Sequence, residues 1–253
     1  MTETADHDLW LRRFHPAEPS KVRLVCFPHA GGSASFYFPV SAALSPGFDV
    51  LAVQYPGRQD RRLEPCVDDI PALADQIFRA TDSWADGPLA LFGHSMGAVL
   101  AFEVARRIER EFGVTPVRLF ASGRRAPSCT RDEKVHLRDD DGIVRELQQL
   151  SGTDARVLGD EELLRMVLPA LRSDYRAIET YRCDDGAAVA CPVTVLTGDA
   201  DPRTSMDEAR AWREHTSGEF DLEVFPGGHF FLAAQQAAVL KVIRERLSQV
   251  TVS

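Results

Sequence analysis

Residues 89–102 read LALFGHSMGAVLAF. An apolar run leads into a serine held between two glycines, and a run of small and apolar residues follows. A short apolar strand, a G-x-S-x-G turn and a helix in that order form a nucleophile elbow. Any side chain at Gly93 or Gly97 would collide with neighbouring chain in so tight a turn. The strain projects the Ser95 hydroxyl above the sheet, at the positive end of the following helix. G-x-S-x-G alone recurs by chance, as a glycine-rich turn that packs a helix close to a strand. The flanking pattern is what makes Ser95 the candidate nucleophile.

Outward from this stretch, short apolar runs recur. They are VRLVCF (22–27), DVLAVQY (49–55), PLALF (88–92), VRLFAS (117–122), PVTVL (192–196) and DLEVF (221–225). Each is apolar on both faces and stops at or near Gly, Pro or another turn residue, as strands buried in a parallel sheet are. Helical patterns lie between them, over 70–84, 96–113, 205–215 and 230–250. Gly113 is placed to stop the second and Ser205 to cap the third. A further helix is expected to begin near Ser33. Strands alternating with helices predict an α/β fold with a mostly parallel central sheet flanked by helices.

One interval breaks the rhythm. The chain between Ser122 and Val193 is far longer than the dozen or so residues a parallel crossover needs. It carries two amphipathic patterns. One has Ile143, Leu147 and Leu150 on one face; the other has Leu164, Leu168, Leu171, Tyr175 and Ile178. Pro169 predicts a break or kink near Leu168. The economical reading is a single domain, 1–253, with a helical insertion over 124–187 that caps the end of the sheet. The alternative is one more ordinary βα unit.

A serine hydroxyl needs a base to take its proton, and the base needs an orienting acid. The α/β-hydrolase fold supplies them in the order Ser, acid, His. TGDADP (197–202) offers Asp199 and Asp201, and PGGHFF (226–231) offers His229. His229 and Asp201 are the favoured base and acid. His29 competes for the base, and Asp199, nearer the strand end, is better suited to holding the turn. His94 adjoins the serine but should point away as packing support. His7 and His15 fall in a frayed N-terminus. Oxyanion donors are expected at the backbone N–H of Met96 and of Ala30 in the PHAGGS loop, with Gly31 next, since its glycines let the loop approach substrate closely.

Composition limits the alternatives. With 253 residues and a net charge of −9, the chain lacks the clustered cations that nucleic-acid binding requires. MTETADHDLWLRRF has no apolar signal core, and no run approaches a membrane span. Five cysteines without a C-x-x-C pair argue against a disulfide framework or zinc site. Dinucleotide, P-loop and H-E-x-x-H motifs are absent. The expectation is a cytoplasmic protein, monomeric, with no cofactor, metal, nucleic-acid or membrane partner.

FPHAGGS (27–33), YPGR (55–58), GHSMGA (93–98), LPALRSDY (168–175), TGDADP and PGGHFF together resemble the type II thioesterases of bacterial polyketide and non-ribosomal peptide synthesis, from about Arg23 to about Leu247. The resemblance implies a helical lid where the insertion lies. It also implies hydrolysis of stalled acyl groups from the phosphopantetheine arm of an acyl or peptidyl carrier protein. Ser95, His229 and Asp201 match the catalytic roles, and Met96 and Ala30 the oxyanion hole. Gly31, Phe36 and Tyr37 would line the acyl chamber, though core packing suits the two aromatic residues as well. Arg58, Arg61 and Arg62 would meet the carrier or the arm's phosphate, or else sit in a solvated loop. A general carboxylesterase, a non-catalytic acyl binder and an acyl transferase are the rival readings.

Overall fold

The computed structural model describes residues 9–17, 22–80, 83–150 and 160–248. Its sheet has seven strands in the order β1-β3-β2-β4-β5-β6-β7. The strands are β1 (Leu11–Arg13), β2 (Arg23–Phe27), β3 (Asp49–Val53), β4 (Leu89–His94), β5 (Arg118–Ser122), β6 (Val193–Gly198) and β7 (Phe220–Phe225). The six expected strands are present and pair in parallel. The seventh was not expected. Leu11–Arg13 pairs antiparallel with β3, Leu11 opposite Val53, where the sequence suggested a frayed end. His15 is ordered as well, its Nδ1 3.1 Å from Ser41 Oγ. His7 lies outside the described residues.

Alternation along the strands divides the core in two. Val25, Phe27, Leu91 and Leu119 face one side, with α2 (Ile70–Arg79) and α3 (Met96–Phe112) packed on them. Leu24, Cys26, Phe92 and Phe120 face the other, against α1 (Phe38–Leu44) and the C-terminal helix. Burial on both faces is why these strands read as unbroken apolar runs.

Local signals set the helix ends. Asp69 caps α2 by accepting the Ala72 N–H at 2.8 Å. That helix stops at Arg79, and Ser83–Ala85 form a separate 3-10 turn. Gly113 ends α3 in the left-handed conformation. The helix expected near Ser33 begins as a 3-10 turn, Ala34–Tyr37, before α1.

Between β5 and β6 lie α4 (Asp140–Leu150) and α5 (Glu161–Thr180). Ile143, Leu147, Leu168, Leu171 and Tyr175 form a small core of their own with Val135. Pro169 does not end α5, contrary to the expected break. Its neighbours Leu168, Ala170 and Leu171 are buried, and their packing outweighs the roughly 3 kcal/mol that an interior proline costs. Ser205 caps α6 (Met206–Arg210) in a reciprocal capping box with Glu208; from Ala211 to His215 the chain tightens to 3-10. The last pattern splits into α7 (Phe231–Ala234) and α8 (Gln236–Ser248) at Gln235. Its end, residues 249–250, lies outside the described residues. No described helix is long and apolar enough to cross a membrane.

Candidate active site

The elbow is as tight as its sequence demands. Ser95 has φ +56°, a region that L-residues rarely enter. A Cβ on Gly93 would fall 2.0 Å from the carbonyl oxygen of Gly97, and one on Gly97 would fall 2.0 Å from that of Phe27. The Ser95 N–H donates to the Ser122 carbonyl at the end of β5, at 2.8 Å. The serine is thereby tied to two adjacent strands, with Met96 opening α3 beside it.

The loops after β6 and β7 bring two more side chains to this point. His229 Nε2 lies 3.0 Å from Ser95 Oγ. His229 Nδ1 lies 3.0 and 2.9 Å from the two oxygens of Asp201. Both His229 and the Asp201 carboxylate are buried. A carboxylate only accepts, so Nδ1 carries the proton and Nε2 is left to accept from the serine hydroxyl. The Arg203 N–H donates to Asp201 at 2.8 Å. Asp199 instead accepts the Gly227 N–H at 2.9 Å and holds the two loops together.

The other histidines near Ser95 are placed differently. His94 is fully buried, with its Nδ1 3.0 Å from Ser122 Oγ. Burial, then the charges of His229 and His29, hold its pKa well below the usual imidazole range. His29 packs against Phe36 and Phe230. Burial, then His229 and Arg58, pull its pKa down to about 3.

A cavity of about 210 Å³ opens at Ser95 and His229. Ala30 and Gly31 form part of its rim. Leu147 and Leu150 of α4, with Val167, Leu171, Tyr175 and Ile178 of α5, supply an apolar wall. Arg124, Glu133, Glu179 and Arg203 supply a charged one. Phe36 and Tyr37 are not among its walls, which corrects the expectation for them. They line a separate apolar cavity of about 410 Å³ against α8, and the buried Tyr37 hydroxyl donates to the Phe27 carbonyl at 2.8 Å.

Two of the three loop arginines are neither solvated nor open to a partner. Arg61 is buried over the Trp10 ring and paired with Glu64 at 2.5 Å. Arg58 makes a bidentate pair with Asp174 of α5, at 2.7 and 2.9 Å, with exposures of 8% and 1%. Burial opposes the charge on Arg58, but the Asp174 charge and hydrogen bonds outweigh it and raise the guanidinium pKa. Asp174 also accepts the Gly31 N–H at 2.7 Å, and Arg58 donates to the Gly32 carbonyl at 3.1 Å. One ion pair therefore fixes the loop after β2. It takes up the Gly31 N–H and leaves Ala30 the better placed of the two oxyanion candidates. Sequence reasoning quoted YPGR and LRSDY without joining them; their opposite charges were the available signal. Arg62 alone of the three is exposed.

The described residues include no cluster of His, Cys, Asp and Glu that would hold a metal, and all five cysteines are unpaired. The thioesterase domain family matches residues 22–247. A probable cadicidin biosynthesis thioesterase of Streptomyces griseus is 60% identical over 94% of this chain, which spans 66% of that protein, just under two thirds. Thioesterase PikA5 of Streptomyces venezuelae is 53% identical over 96% of this chain and 86% of its own. The solved type II thioesterase BorB of the borrelidin biosynthetic cluster superposes with a TM-score of 0.89 at 54% identity, covering 95% of this chain and 98% of its own. With the family matched over nearly its whole length and its fold shared with a protein more than half identical to it, this chain belongs to the thioesterase domain family, in the α/β-hydrolase fold.

Proposed function

We propose that the protein is an editing thioesterase that hydrolyses acyl groups from the phosphopantetheine arm of a carrier protein in polyketide or non-ribosomal peptide synthesis. The observation that carries this reading is the hydrogen-bonded line from Ser95 through His229 to Asp201. Ser95 Oγ attacks the thioester carbonyl while His229 Nε2 takes its proton. The carbonyl oxygen gains charge in the tetrahedral intermediate and is stabilised by the N–H groups of Met96 and Ala30. His229 returns the proton to the departing pantetheine thiol. Water, deprotonated by His229, then splits the acyl-serine. Asp201 keeps the imidazole in the required tautomer and offsets its positive charge.

In this reading 124–187 is a lid whose helices α4 and α5 wall the acyl chamber, and Gly31 lies at the substrate. The protein acts in the cytoplasm as a monomer, with the carrier as its partner. The names of the relatives support the thioesterase part of this reading.

The test sets wild type beside Ser95→Ala on a panel of acylated carrier proteins and on matched oxygen esters. Released acids are identified, and intact mass is read after fluorophosphonate treatment. The expected result is acid release from the thioesters, one adduct on wild type, and neither with the variant. A strong preference for oxygen esters would indicate a carboxylesterase. A folded protein with no adduct would indicate a binder, and acyl products on an amine or alcohol would indicate a transferase.

A further inference from the structure

Among the described residues, the charged wall of the cavity at Ser95 contains one cation, Arg124, that makes no ion pair. Arg124 follows Gly123, which turns the chain out of β5 at φ +59° with the His94 ring occupying the space a Cβ would need. The Arg124 carbonyl accepts the Trp212 indole N–H at 2.8 Å, which fixes the backbone. Its side chain stands between the cavity and a small crevice behind it.

The surrounding carboxylates are already engaged. Glu133 holds Arg125 at 2.9 Å and Arg203 at 2.8 Å. Glu146 holds Arg138 at 2.9 Å and also Arg203. Glu179 accepts the backbone N–H groups of Val135 and His136, at 2.8 and 3.1 Å, and meets the His136 ring at 2.5 Å. Among the described residues Arg124 has no ion pair, and its buried Nε has no hydrogen-bond partner. Each of these carboxylates thus already holds other donors, and Arg124 forms an ion pair with none of them. Burial, then the charges of Arg125 and Arg203, draw the Arg124 pKa down to about 9, against the pull of Glu133 and Glu179, so the group stays protonated at neutral pH.

An unpaired buried donor is costly, and a ligand that supplies an acceptor removes the cost. Arg124 lies one turn of chain from Ser122, whose carbonyl holds the nucleophile's own N–H. Arg124 and Ser95 line the same cavity, so an acyl group attached at Ser95 shares that space with the guanidinium. We propose that Arg124 is a specificity residue that accepts acyl groups bearing an oxygen beyond the thioester carbonyl, such as a 3-hydroxyl, a 3-oxo group or a carboxylate. A plain alkyl chain fills the wall of Leu147, Val167, Leu171 and Ile178 but leaves the guanidinium without an acceptor. This rests on the thioesterase reading and adds the class of acyl group.

The experiment compares N-acetylcysteamine thioesters, which lack both carrier and phosphate. Butyryl is set against 3-hydroxybutyryl, 3-oxobutyryl and malonyl, and kcat/KM is measured for wild type, Arg124→Gln, Arg124→Met and Arg124→Lys. Thermal unfolding checks each fold. Wild type is expected to prefer at least one oxygenated acyl group. That preference should fall about 10- to 100-fold in the Gln and Met variants, the range for one hydrogen bond to a charged group, and be partly kept by Lys. A ratio unchanged in both variants would overturn the proposal. The same acyl groups on phosphopantetheine are measured beside the N-acetylcysteamine thioesters; a loss confined to that set would assign Arg124 to the arm's phosphate and overturn the proposal. If the variants do not fold, a wild-type preference for butyryl over all three partners overturns it alone. No hydrolysis of any thioester, with no adduct on Ser95, would remove the thioesterase reading and this proposal together; hydrolysis with a flat ratio removes only this proposal.

Discussion

Removing the Asp174 carboxylate tests whether α5 holds the loop that carries Ala30 and Gly31. The pair it forms with Arg58 is bidentate and nearly out of solvent, at 8% and 1% exposure. Asp174→Ala leaves a buried guanidinium without its counter-charge, a loss of about 3–5 kcal/mol in comparable pairs. It also removes the acceptor of the Gly31 N–H, which sits 2.7 Å from Asp174. At about 2.1 cal/mol/K per residue, a chain of 253 residues unfolds with an entropy of about 0.5 kcal/mol/K. The expected fall in Tm is therefore about 6–9 °C. Urea titration should show a lower midpoint at unchanged slope. The double variant Arg58→Met with Asp174→Leu removes both charges at similar volume, and should lose less stability than Asp174→Ala alone, since no unpaired charge remains. Below the melting range, Asp174→Ala should also lower kcat, because the loop is no longer fixed. A loss under about 1 kcal/mol for Asp174→Ala, or losses of Arg58→Met and Asp174→Leu measured singly that simply add in the double, would refute this reasoning.

Three further outcomes can be checked separately. Gly97→Ala should abolish soluble expression or cost more than about 4 kcal/mol, since its Cβ would meet the Phe27 carbonyl oxygen at 2.0 Å. Gly113→Ala, at φ +66° with open space around it, should cost only about 1–2 kcal/mol; equal losses in urea titration would contradict the account. Asp201→Asn should reduce kcat about 10³- to 10⁴-fold by favouring the wrong imidazole tautomer, whereas Asp199→Asn should change kcat less than about tenfold; steady-state kinetics on one acyl-carrier substrate distinguishes them. The folded-state pKa of His94 lies below its ordinary value of 6.5. Below that pH the unfolded chain gains a proton at His94 that the native protein refuses, and this group lowers stability by up to about 1.4 kcal/mol per pH unit, with His29 acting in the same direction. His94→Asn should flatten the fall between about pH 6.5 and 5; an unchanged pH slope in urea midpoints would remove His94 as its source.

The parallel strands were legible because burial on both faces leaves a continuous apolar trace. β1 was not: it spans only three residues, running from buried Leu11 through half-buried Arg12 to exposed Arg13. Its antiparallel place at the sheet edge depends on β3, some forty residues away, and no local pattern announces that. The break expected at Pro169 does not occur, for a related reason. The proline's cost is local, while the burial that outweighs it comes from contacts between α5 and the rest of the insertion. Ser95, Asp201 and His229 were readable because each sits at a strand end marked by turn residues, where α/β folds gather their sites. Phe36 and Tyr37 lie close in sequence to the loop at Ser95, but the chain turns into α1 at once and packs both against α8, Phe36 behind the His29 ring.

The same helix therefore has two connections to the site. Leu171, Tyr175 and Ile178 line the cavity, while Asp174 between them holds Gly31 and Arg58. A Cβ at Gly31 would fall 2.3 Å from Leu171 Cδ2, so the loop is already pressed against α5. α5 cannot swing away from the sheet without separating the ion pair or dragging the loop with it. If α5 belongs to a lid, opening that lid and disturbing the proposed oxyanion donor at Ala30 are one event. An acyl group that keeps the helix seated also keeps the donor aligned. On this argument chamber occupancy should affect kcat as well as KM, and acyl length, normally a matter of affinity, should register in the chemical step.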